Sequence, residues 1–366
     1  MFGNIYKGKK VLITGNTGFK GSWLTTWLLK LGADVYGISK DIPTNPSMFE
    51  ALGLKDRIVF YKEDVCDYMK VRSIIQDVEP DFVFHLAAQP IVVTSYLDPL
   101  TTISTNVLGT TNVLEALRVL NKQCVAVIIT SDKCYDNVEW VWGYKETDPL
   151  GGKDIYSGSK GAAELIIKSY YNSFFRNPDV SKVKVVSVRA GNVIGGGDWA
   201  DYRIVPDCIK AWVNGESVEI RSPEATRPWQ HVLEPLSGYL QVAHELYKDD
   251  SLNGESFNFG PHSEYSKTVK DLLDDLSKYW ELKQEPSYIS EITSDFHEAG
   301  LLKLNCDKAL FYIKWLPTLG YDELIRFTST WYYSFYLDNV NMLDITTKQI
   351  KEYEQASLIK RIKWTK

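Results

Sequence analysis

The sequence lacks the features that mark membrane proteins and disulfide- or zinc-stabilised proteins. No run approaches the eighteen or so consecutive apolar residues that a membrane span requires, and residues 1–7 contain no apolar signal-peptide core. We therefore expect a cytoplasmic protein. The cysteines are few, odd in number and widely spaced, without a Cys-x-x-Cys pair, so they indicate reduced thiols. They are Cys66, Cys124, Cys134, Cys208 and Cys306.

The sequence also lacks an excess of basic residues, internal repeats and low-complexity segments. Its formal net charge is −6 at pH 7, with acidic and basic residues interspersed, which argues against a nucleic-acid partner. The one basic cluster, residues 360–366, is expected to be a solvated tail. Because 366 residues exceed the usual size of a single core, we expect two lobes.

Short apolar runs alternate with helical stretches through the first half of the chain. The predicted strands cover residues 10–13, 34–38, 58–61, 82–85, 125–130 and 183–189. The predicted helices lie near residues 21–31, 68–78, 106–120 and 159–176. This alternation is typical of an α/β protein with a Rossmann-type doubly wound parallel sheet. Such a sheet binds its ligands beyond the carboxyl ends of its strands.

A glycine-rich turn follows the first predicted strand. The turn reads Thr14-Gly15-Asn16-Thr17-Gly18-Phe19-Lys20-Gly21, and an apolar helix follows it. This order of strand, turn and helix is the context of a dinucleotide-binding fingerprint. Small residues let the backbone approach a pyrophosphate, and the helix N-terminus offers amide hydrogens and a positive dipole end. An ordinary glycine turn is the alternative interpretation.

The chain becomes loop-rich after residue 190, where we expect a second and smaller α/β lobe to begin. We assign residues 1–190, with about 231–258, to a dinucleotide-binding Rossmann domain. Residues 191–230 and 259–366 are assigned to a substrate-binding lobe. The last hundred or so residues are predicted to be mainly helical, and aromatic residues such as Trp331, Tyr332 and Tyr333 are expected to pack in the core.

Tyr156 and Lys160 stand four residues apart, a spacing that places both on one face of a helix. An unperturbed phenol has a pKa of about 10, and a neighbouring ammonium lowers it. A phenolate can then take the proton of a sugar or alcohol hydroxyl while a nicotinamide takes the hydride. Such a pair alone is a weak signal, but together with the glycine turn it indicates a redox enzyme.

Five sequence blocks resemble the extended short-chain dehydrogenase/reductase family and, within it, the nucleotide-sugar 4,6-dehydratases. They are residues 15–24, 85–90, 130–135, 189–200 and 227–232, which read GNTGFKGSWL, HLAAQP, TSDKCY, RAGNVIGGGDWA and RPWQHV. The resemblance runs over nearly the whole chain, and five blocks in order are far more specific than one fingerprint.

The resemblance implies a closed redox cycle on a nucleotide-hexose. NAD would take hydride from C4 of the hexose while Tyr156 takes the hydroxyl proton. Water would then leave from C5 and C6, and the hydride would return to C6. CDP-glucose is the expected substrate, with a GDP- or UDP-hexose, including an N-acetylated one, as the alternative. The helices near 106–120 and 159–176 match those that pair in family dimers, so a homo-oligomer is expected, either a dimer or a dimer of dimers.

The glycine turn and the resemblance together give the candidate site residues. The catalytic candidates are Ser131, Asp132, Lys133, Tyr156 and Lys160. The cofactor candidates are Gly15, Asn16, Thr17, Gly18, Phe19, Lys20, Gly21, Asp41, Asp64, Val65, Leu86, Ala87, Ala88, Gln89, Asn106, Thr130, Tyr156 and Lys160. The substrate candidates are Gln89, Ser131, Asn192, Arg203, Arg227 and His231. The guanidinium groups of the two arginines suit phosphate oxygens.

Arg189, His85 and His231 also allow a structural interpretation. Arg189 is either a phosphate ligand or a structural partner at a strand end. His85 and His231 lie in apolar surroundings with no second ligand at metal-binding spacing, so packed histidines are favoured and no metal site is predicted.

Lys133 departs from the family pattern, in which Asp and then Glu usually follow a hydroxyl residue. In the family the Glu removes the C5 proton, and the Asp protonates the leaving hydroxyl. Lys133 could act as base only if burial or nearby positive charge lowered its pKa toward neutrality; otherwise it would stabilise the developing enolate. The structural alternative is that Asp132 caps a loop and Lys133 points to solvent.

The sequence indicates the residues that would bind the adenosine of the cofactor less specifically than those that would bind its pyrophosphate. An acid at the end of the second strand usually binds the ribose of NAD, and Asp41 would serve in this chain. Ser39 and Lys40 would tolerate the 2′-phosphate of NADP, so NADP remains an alternative cofactor. Asp64 with Val65 fits an adenine contact, although Asp64 would equally serve as a helix N-cap.

Two further functions compete with dehydration. A nucleotide-sugar 4-epimerase would share the fold, the cofactor, Tyr156 and Lys160, but it needs no acid and base for loss of water. Ser131-Asp132-Lys133 therefore argues against it. A non-catalytic dinucleotide-sensing or scaffold protein is the third hypothesis, and the intact Tyr156 and Lys160 argue against that one.

Overall fold

The computed structural model describes residues 1–220, 222–262, 267–280, 288–289, 301–338 and 340–366. Its strands are β1 (Lys10–Thr14), β2 (Asp34–Ile38), β3 (Val59–Tyr61), β4 (Phe82–His85), β5 (Cys124–Ile129), β6 (Val183–Ala190), β7 (Val193–Ile194), β8 (Val218–Glu219), β9 (Thr226–Arg227), β10 (Gln230–His231), β11 (Ser256–Phe259), β12 (Lys267–Thr268) and β13 (Tyr288–Ile289).

The helices are α1 (Phe19–Lys30), α2 (Met48–Ala51), α3 (Tyr68–Val78), α4 (Val92–Leu97), α5 (Pro99–Ile103), α6 (Thr110–Arg118), α7 (Ile155–Tyr170), α8 (Ile204–Asn214), α9 (Leu233–Lys248), α10 (Val269–Ser277), α11 (Asp307–Ile313), α12 (Tyr321–Tyr336) and α13 (Met342–Ile359). Two π-helical segments, Ser104–Gly109 and Tyr171–Phe175, adjoin α6 and α7.

The central sheet has seven strands in the order β11-β6-β5-β4-β1-β2-β3. Every neighbouring pair in this sheet is parallel. The strand order reverses between β1 and β4, and this is the switch point at which doubly wound sheets bind their ligands. The predicted Rossmann-type fold is thus confirmed.

The predicted strands agree with the observed ones within one residue at each end, whereas three of the four predicted helices have different bounds. The helix predicted near residues 21–31 is α1, which spans Phe19–Lys30. The helix predicted from residue 159 begins at Ile155, because the Asp154 carboxylate accepts a hydrogen bond from the backbone nitrogen of Ser157 and caps it. The helix predicted over 106–120 is a π-helical segment followed by α6. The assignment of residues to two lobes stays a prediction, and part of residues 259–366 lies outside the described residues.

Side chains on the two faces of the sheet enter two separate cores. Along β1, Val11 and Ile13 belong to the larger core, and Leu12 belongs to the other one, as the two-residue period of a strand requires. The larger core includes side chains of α1 and α9, and the smaller core includes side chains of α3, α6 and α7. Both faces of the sheet are therefore buried, which parallel sheets require.

The C-terminal helices complete the larger core. Trp27 Nε1 of α1 donates to Glu354 Oε1 of α13 over 2.9 Å, and both Trp27 and Trp331 have no exposed surface. The prediction that residues 360–366 form a solvated tail is wrong. Trp364 is fully buried and stacks on Phe2 with ring centroids 4.9 Å apart, because the apolar area of an indole outweighs the surrounding positive charge.

No helix within the described part of the chain has the length and apolar character needed to cross a membrane. All the cysteines are free, and those at 124, 134 and 208 are buried.

Candidate active site

The glycine turn joins β1 to α1 with almost no room for side chains. Gly15 has a φ of +75°, in the left-handed region that favours glycine. A Cβ atom on Gly15 would lie 2.7 Å from the backbone nitrogen of Ala87, and one on Gly21 would lie 2.1 Å from the carbonyl oxygen of Gly15. Only glycine fits at both positions.

The N-terminus of α1 opens onto this turn without a protein cap. Its N-cap residue, Gly18, offers no side chain, and its first turn contains no acidic residue, so amide hydrogens remain available to an anion. Asn16 is buried, and its Nδ2 has no hydrogen-bond partner in the part of the chain that the structure describes. These features fit the pyrophosphate of a dinucleotide.

The end of β2 is tied to the turn by hydroxyl groups. The buried Ser39 hydroxyl donates to Asn16 Oδ1 over 2.9 Å, and the Thr17 hydroxyl donates to the carbonyl oxygen of Asp41 over 2.7 Å. The Ser39 hydroxyl is therefore engaged in a hydrogen bond within the protein. Lys40 and Asp41 are exposed, so of the predicted ribose residues these two remain free to meet a ligand.

Asp64 and Val65 follow β3, where an adenine contact is predicted. Asp64 Oδ1 accepts a hydrogen bond from the backbone nitrogen of Cys66 over 2.9 Å. The N-cap of α3 is Asp67, so the alternative in which Asp64 caps that helix is wrong. Val65 packs against Gly109, where a Cβ atom would lie 2.8 Å from Val65 Cγ2. The adenine contact itself stays a prediction.

The end of β4 carries Leu86, Ala87 and Ala88 beside the glycine turn. The backbone nitrogen of Leu86 donates to the carbonyl oxygen of Thr14 over 3.0 Å, and that of Ala87 donates to Thr14 Oγ1 over 3.2 Å. His85 lies below them, with Nδ1 2.7 Å from Thr14 Oγ1. Burial lowers the pKa of His85 to about 3, so the ring is neutral and packed, as predicted.

Gln89 and Asn106 hold the next segment in place. Asn106 Oδ1 accepts a hydrogen bond from the backbone nitrogen of Gln89 over 2.8 Å, and Asn106 Nδ2 donates to Ser159 Oγ of α7 over 2.9 Å. Asn106 is 1% exposed. Its amide braces α7, and cofactor contacts of either residue stay predictions.

Ser131, Asp132 and Lys133 follow β5 in a short 3₁₀ turn. The Ser131 hydroxyl caps this turn by accepting from the backbone nitrogen of Lys133 over 3.2 Å, and it donates to Asp132 Oδ1 over 3.0 Å. A Cβ atom on Gly191 would lie 1.7 Å from Asp132 Oδ2, so the buried carboxylate is held against the backbone after β6. The loop cap is Ser131 and not Asp132, and Lys133 is half-buried.

Tyr156 and Lys160 lie one turn apart on α7, and both are buried, with 7% and 5% of their surface exposed. Burial raises the pKa of Tyr156 to about 12, against the effects of Ser131 and Arg203. Burial lowers the pKa of Lys160 to about 8. The prediction that Lys160 lowers the phenol pKa is therefore wrong for the protein alone, because loss of water disfavours both charged forms.

A buried ion pair fixes α7 against the sheet. Arg189 of β6 donates from Nε and Nη2 to the two carboxylate oxygens of Glu164, each over 2.8 Å. The Thr130 and Ser187 hydroxyls also donate to Glu164, over 2.5 and 2.8 Å, and Arg189 Nη1 donates to the Tyr135 hydroxyl over 2.7 Å. Of the two interpretations of Arg189, the structure supports the structural one.

Three of the substrate candidates, Asn192, Arg203 and Arg227, lie in the chain between β6 and β10. Arg203 Nη1 donates to Asp198 Oδ2 over 2.6 Å. Asn192 has a φ of +50°, a conformation that Asn tolerates better than most residues. Arg227 is half-buried in β9 and donates from Nη1 to the carbonyl oxygen of Thr226 over 3.0 Å. Their contacts with substrate stay predictions.

His231 is more enclosed than a ligand-binding residue would be. Its ring is 1% exposed and makes edge-to-face contacts with Trp23 and Phe327, at centroid distances of 5.7 and 5.4 Å. Burial lowers the pKa of His231 to about 3. The ring is therefore neutral and packed as predicted, and this burial argues against the substrate contact also predicted for it.

Sequence reasoning missed the parts of Glu164 and Asp198 in the site. Glu164 follows Tyr156 and Lys160 at the same four-residue spacing, so the helical period marks it as a residue of the same face. Asp198 pairs with Arg203 only through a loop, and no local spacing indicates that pair.

Comparison with known proteins identifies a matching family model and similar dehydratases. Residues 12–328 match the family model described as GDP-mannose 4,6 dehydratase. The chain is 45% identical over 356 residues to the CDP-glucose 4,6-dehydratase of Salmonella typhimurium, covering 97% of this chain and 98% of that protein. It is 24% identical over 341 residues to the dTDP-glucose 4,6-dehydratase of Haemophilus influenzae, covering 88% and 97%.

Solved structures show the same fold. The UDP-glucose 4-epimerase of Thermus thermophilus, in complex with NAD, superposes with a TM-score of 0.75 at 23% identity, covering 88% of this chain and 98% of that chain. The dTDP-glucose 4,6-dehydratase of Bacillus anthracis, also with NAD, gives 0.73 at 18% identity, covering 89% and 97%.

The Glu164–Arg189 pair gives a prediction about stability. Glu164→Gln leaves the Arg189 guanidinium buried without a counter-charge, and breaking a buried pair in this way costs about 3–5 kcal/mol. Glu115→Gln is the matched control, because Glu115 pairs with Arg118 in a half-exposed i,i+3 bridge worth about 0–1 kcal/mol. Denaturant unfolding measures both, and equal losses in the two variants would contradict the structural role of the buried pair.

Proposed function

Since the chain belongs to the family described by the GDP-mannose 4,6-dehydratase model, we propose that it is a nucleotide-sugar 4,6-dehydratase acting on CDP-D-glucose. The products are CDP-4-keto-6-deoxy-D-glucose and water, and the reaction depends on NAD. The 45% identity with a CDP-glucose 4,6-dehydratase, over 97% of this chain, supports the cytidine nucleotide over the guanosine of the family description.

Tyr156 and Asp132 divide the proton transfers between them. The Tyr156 phenol accepts the C4 hydroxyl proton, and Lys160 lies one turn away on the same helix. Asp132 donates a proton to the departing C6 hydroxyl, and Ser131 orients that carboxylate by its hydrogen bond of 3.0 Å. NAD, when bound at the glycine turn, supplies the reversible oxidation at C4 and reduction at C6, and its positive ring favours the phenolate whose pKa burial raises.

The single observation that carries dehydration is the buried carboxylate of Asp132, which lies in the turn that packs against α7, the helix of the buried Tyr156. An epimerase returns the hydride to C4 and has no hydroxyl to expel, so it needs no acid at this place. The likeness to a UDP-glucose 4-epimerase structure at 23% identity concerns the fold. The 4-epimerase therefore has less support than the dehydratase.

Arg203 and Arg227 are the groups we assign to the diphosphate of the substrate. Arg203 already shares its charge with Asp198 over 2.6 Å, so it is held in place before substrate arrives. Guanidinium groups bind phosphate oxygens in pairs. Asn192 lies two residues after β6 and directly before β7.

A comparison of nucleotide sugars tests the proposed function. The holoenzyme is incubated with CDP-, UDP-, GDP- and dTDP-glucose in deuterated water, and products are followed by alkali-induced absorbance and mass spectrometry. We expect a 4-keto-6-deoxy product from CDP-glucose with one deuterium at C5. A CDP-galactose product without deuterium would identify an epimerase, and preference for another nucleotide would overturn the cytidine assignment.

Tyr156→Phe tests the role of the phenol. We expect the variant to fold and to bind NAD but to lose turnover by about 10²- to 10⁴-fold, the usual contribution of a general acid-base group. Tyr312→Phe, at a position 55% exposed on α11, is the control that removes a hydroxyl elsewhere. Steady-state rates with CDP-glucose decide, and a near wild-type kcat for Tyr156→Phe would remove the phenol from the mechanism.

The exposed end of β2 predicts the choice of cofactor. Calorimetric titration of the cofactor-free protein is expected to show tighter binding of NAD than of NADP, because Asp41 repels a 2′-phosphate. Asp41→Asn should weaken the binding of NAD and reduce the difference between the affinities for NAD and NADP. Tighter binding of NADP by the unaltered protein would assign the ribose site to Lys40 instead.

The oligomeric state is part of the proposal. Leu97, Leu100 and Leu165 are 73%, 76% and 55% exposed on α4, α5 and α7, and α5 packs against α7. Exposed apolar side chains on adjoining helices fit a surface that pairs with a second copy. Sedimentation is expected to show a dimer that Leu100→Glu with Leu165→Glu converts to monomer; a monomeric unaltered protein would contradict this.

A further inference from the structure

His85 lies at the point where the strand order of the central sheet reverses. It is the last residue of β4 and is paired in register with Thr14, the last residue of β1. Its Nδ1 lies 2.7 Å from Thr14 Oγ1, and its Nε2 lies 3.0 Å from Oγ1 of Thr110, the first residue of α6. All three residues are at most 4% exposed. The ring therefore bridges the strand that leads into the glycine turn and helix α6.

The hydroxyl groups on either side of the ring determine which of its nitrogens carries the proton. The Thr110 hydroxyl donates its hydrogen to the carbonyl oxygen of Asn106 over 2.8 Å, so towards His85 it accepts. Burial, together with the charge of Lys160, lowers the pKa of His85 to about 3, and a neutral ring has a single N–H. Nε2 is therefore the donor to Thr110, and Nδ1 accepts the hydrogen of the Thr14 hydroxyl.

The hydrogen bonds continue from Asn106 to helix α7. Asn106 Nδ2 donates to the carbonyl oxygen of Gln89 over 3.1 Å and to Ser159 Oγ over 2.9 Å. The Ser159 hydroxyl in turn donates to the carbonyl oxygen of Tyr156 over 2.7 Å. Asn106 Oδ1 accepts from the backbone nitrogen of Gln89 over 2.8 Å. The amide therefore has its oxygen and both its hydrogens engaged, which fixes its orientation against α7.

The other end of this series of hydrogen bonds lies at the glycine turn. The Thr14 hydroxyl accepts a hydrogen bond from the backbone nitrogen of Ala87 over 3.2 Å. Thr14 directly precedes Gly15, on which a Cβ atom would lie 2.7 Å from that same nitrogen. Burying polar ring nitrogens costs free energy unless they are hydrogen-bonded, and both nitrogens of His85 are bonded. The ring thus completes one buried connection from the glycine turn to α7.

We infer that His85 is a positioning residue of the dehydratase, an inference that rests on the proposed function. Protonated at Nε2, it joins the glycine turn, to which we assign the dinucleotide, to helix α7, which carries Tyr156. The hydride acceptor and the phenol must both meet C4 of one hexose, and a misplacement of about 1 Å costs about 10²-fold in rate. His85 acts through Thr14 and Asn106, and it transfers no proton in the reaction.

Paired substitutions on α6 test this role in the holoenzyme with CDP-glucose. Thr110→Val removes the hydroxyl that accepts from His85, and Thr110→Ser keeps it. Thr111→Val is the matched control, because the Thr111 hydroxyl makes the same kind of bond, to the carbonyl oxygen of Val107 over 2.8 Å, on the same helix. We expect Thr110→Val to lower kcat by about 10²-fold and to leave the KM for CDP-glucose nearly unchanged. Thr110→Ser and Thr111→Val should retain the kcat of the unaltered protein within a few-fold.

A deuterium isotope effect distinguishes a misplaced site from a loss of folded protein. CDP-glucose deuterated at C4 slows hydride transfer to NAD, so the isotope effect on kcat grows when this step limits the rate. We expect a larger isotope effect in Thr110→Val and in His85→Phe, which keeps an aromatic ring but removes both ring nitrogens. A smaller folded fraction lowers kcat and leaves the isotope effect as it is. An unchanged isotope effect, or equal losses of kcat in Thr110→Val and Thr111→Val, would overturn the inference.

Nitrogen NMR of the unaltered protein, labelled at histidine, tests the tautomer without catalysis. The His85 signals are identified by their absence in His85→Phe or, if that variant does not fold, by elimination with variants of the other histidines. We expect a neutral ring protonated at Nε2 throughout about pH 5–8, the range in which an ordinary histidine titrates. A ring protonated at Nδ1, or one that becomes charged in this range, would contradict the inference. An unaltered protein that forms no 4-keto product from any nucleotide-hexose would instead refute the proposed function.

Discussion

The buried pair between Glu164 and Arg189 is the interaction on which the site depends. Two opposite charges removed from water are tolerated only when their remaining hydrogen-bonding capacity is filled. Here Thr130, Ser187 and Tyr135 fill it. The pair joins α7 to β6, and its hydroxyl partners come from β6 itself and from the segment that follows β5. The face of α7 that carries Tyr156 and Lys160 is thereby fixed in rotation and in height above the sheet.

Burial shifts the pKa values of the ionisable side chains in the site. It raises the pKa of the Tyr156 phenol and lowers those of Lys160 and Lys20, so burial in the protein alone disfavours the charged form of each of these groups. A nucleotide diphosphate and a dinucleotide bring both signs of charge into the same space. Ligand binding therefore does more than place the hexose, because it also moves the ionisation of the side chains toward the states that proton transfer requires.

The parts of the structure that depend on short stretches of sequence were predictable, and those that depend on distant partners were not. The strands of the sheet and the glycine turn follow from apolar runs and from backbone space at Gly15 and Gly21. The partners of Arg189 and Trp27 lie 25 and 327 residues away along the chain, so no spacing reveals them. The prediction of a solvated tail at residues 360–366 was wrong because it considered their positive charge and not the packing of Trp364. The pKa of the Tyr156 phenol was predicted to be lowered because the charge of Lys160 was considered and the burial of both side chains was not.

Helix α1 has a consequence for how the chain is made. Its two tryptophans are fully buried, and their polar partners are Gly196 and Glu354, the second of them 327 residues beyond Trp27. At about 5–20 residues per second, synthesis reaches Glu354 roughly 15–65 s after Trp27. During that interval α1 presents an apolar face whose native cover does not yet exist. Until residue 354 has been made, this uncovered face favours association of the nascent chain with other apolar surfaces.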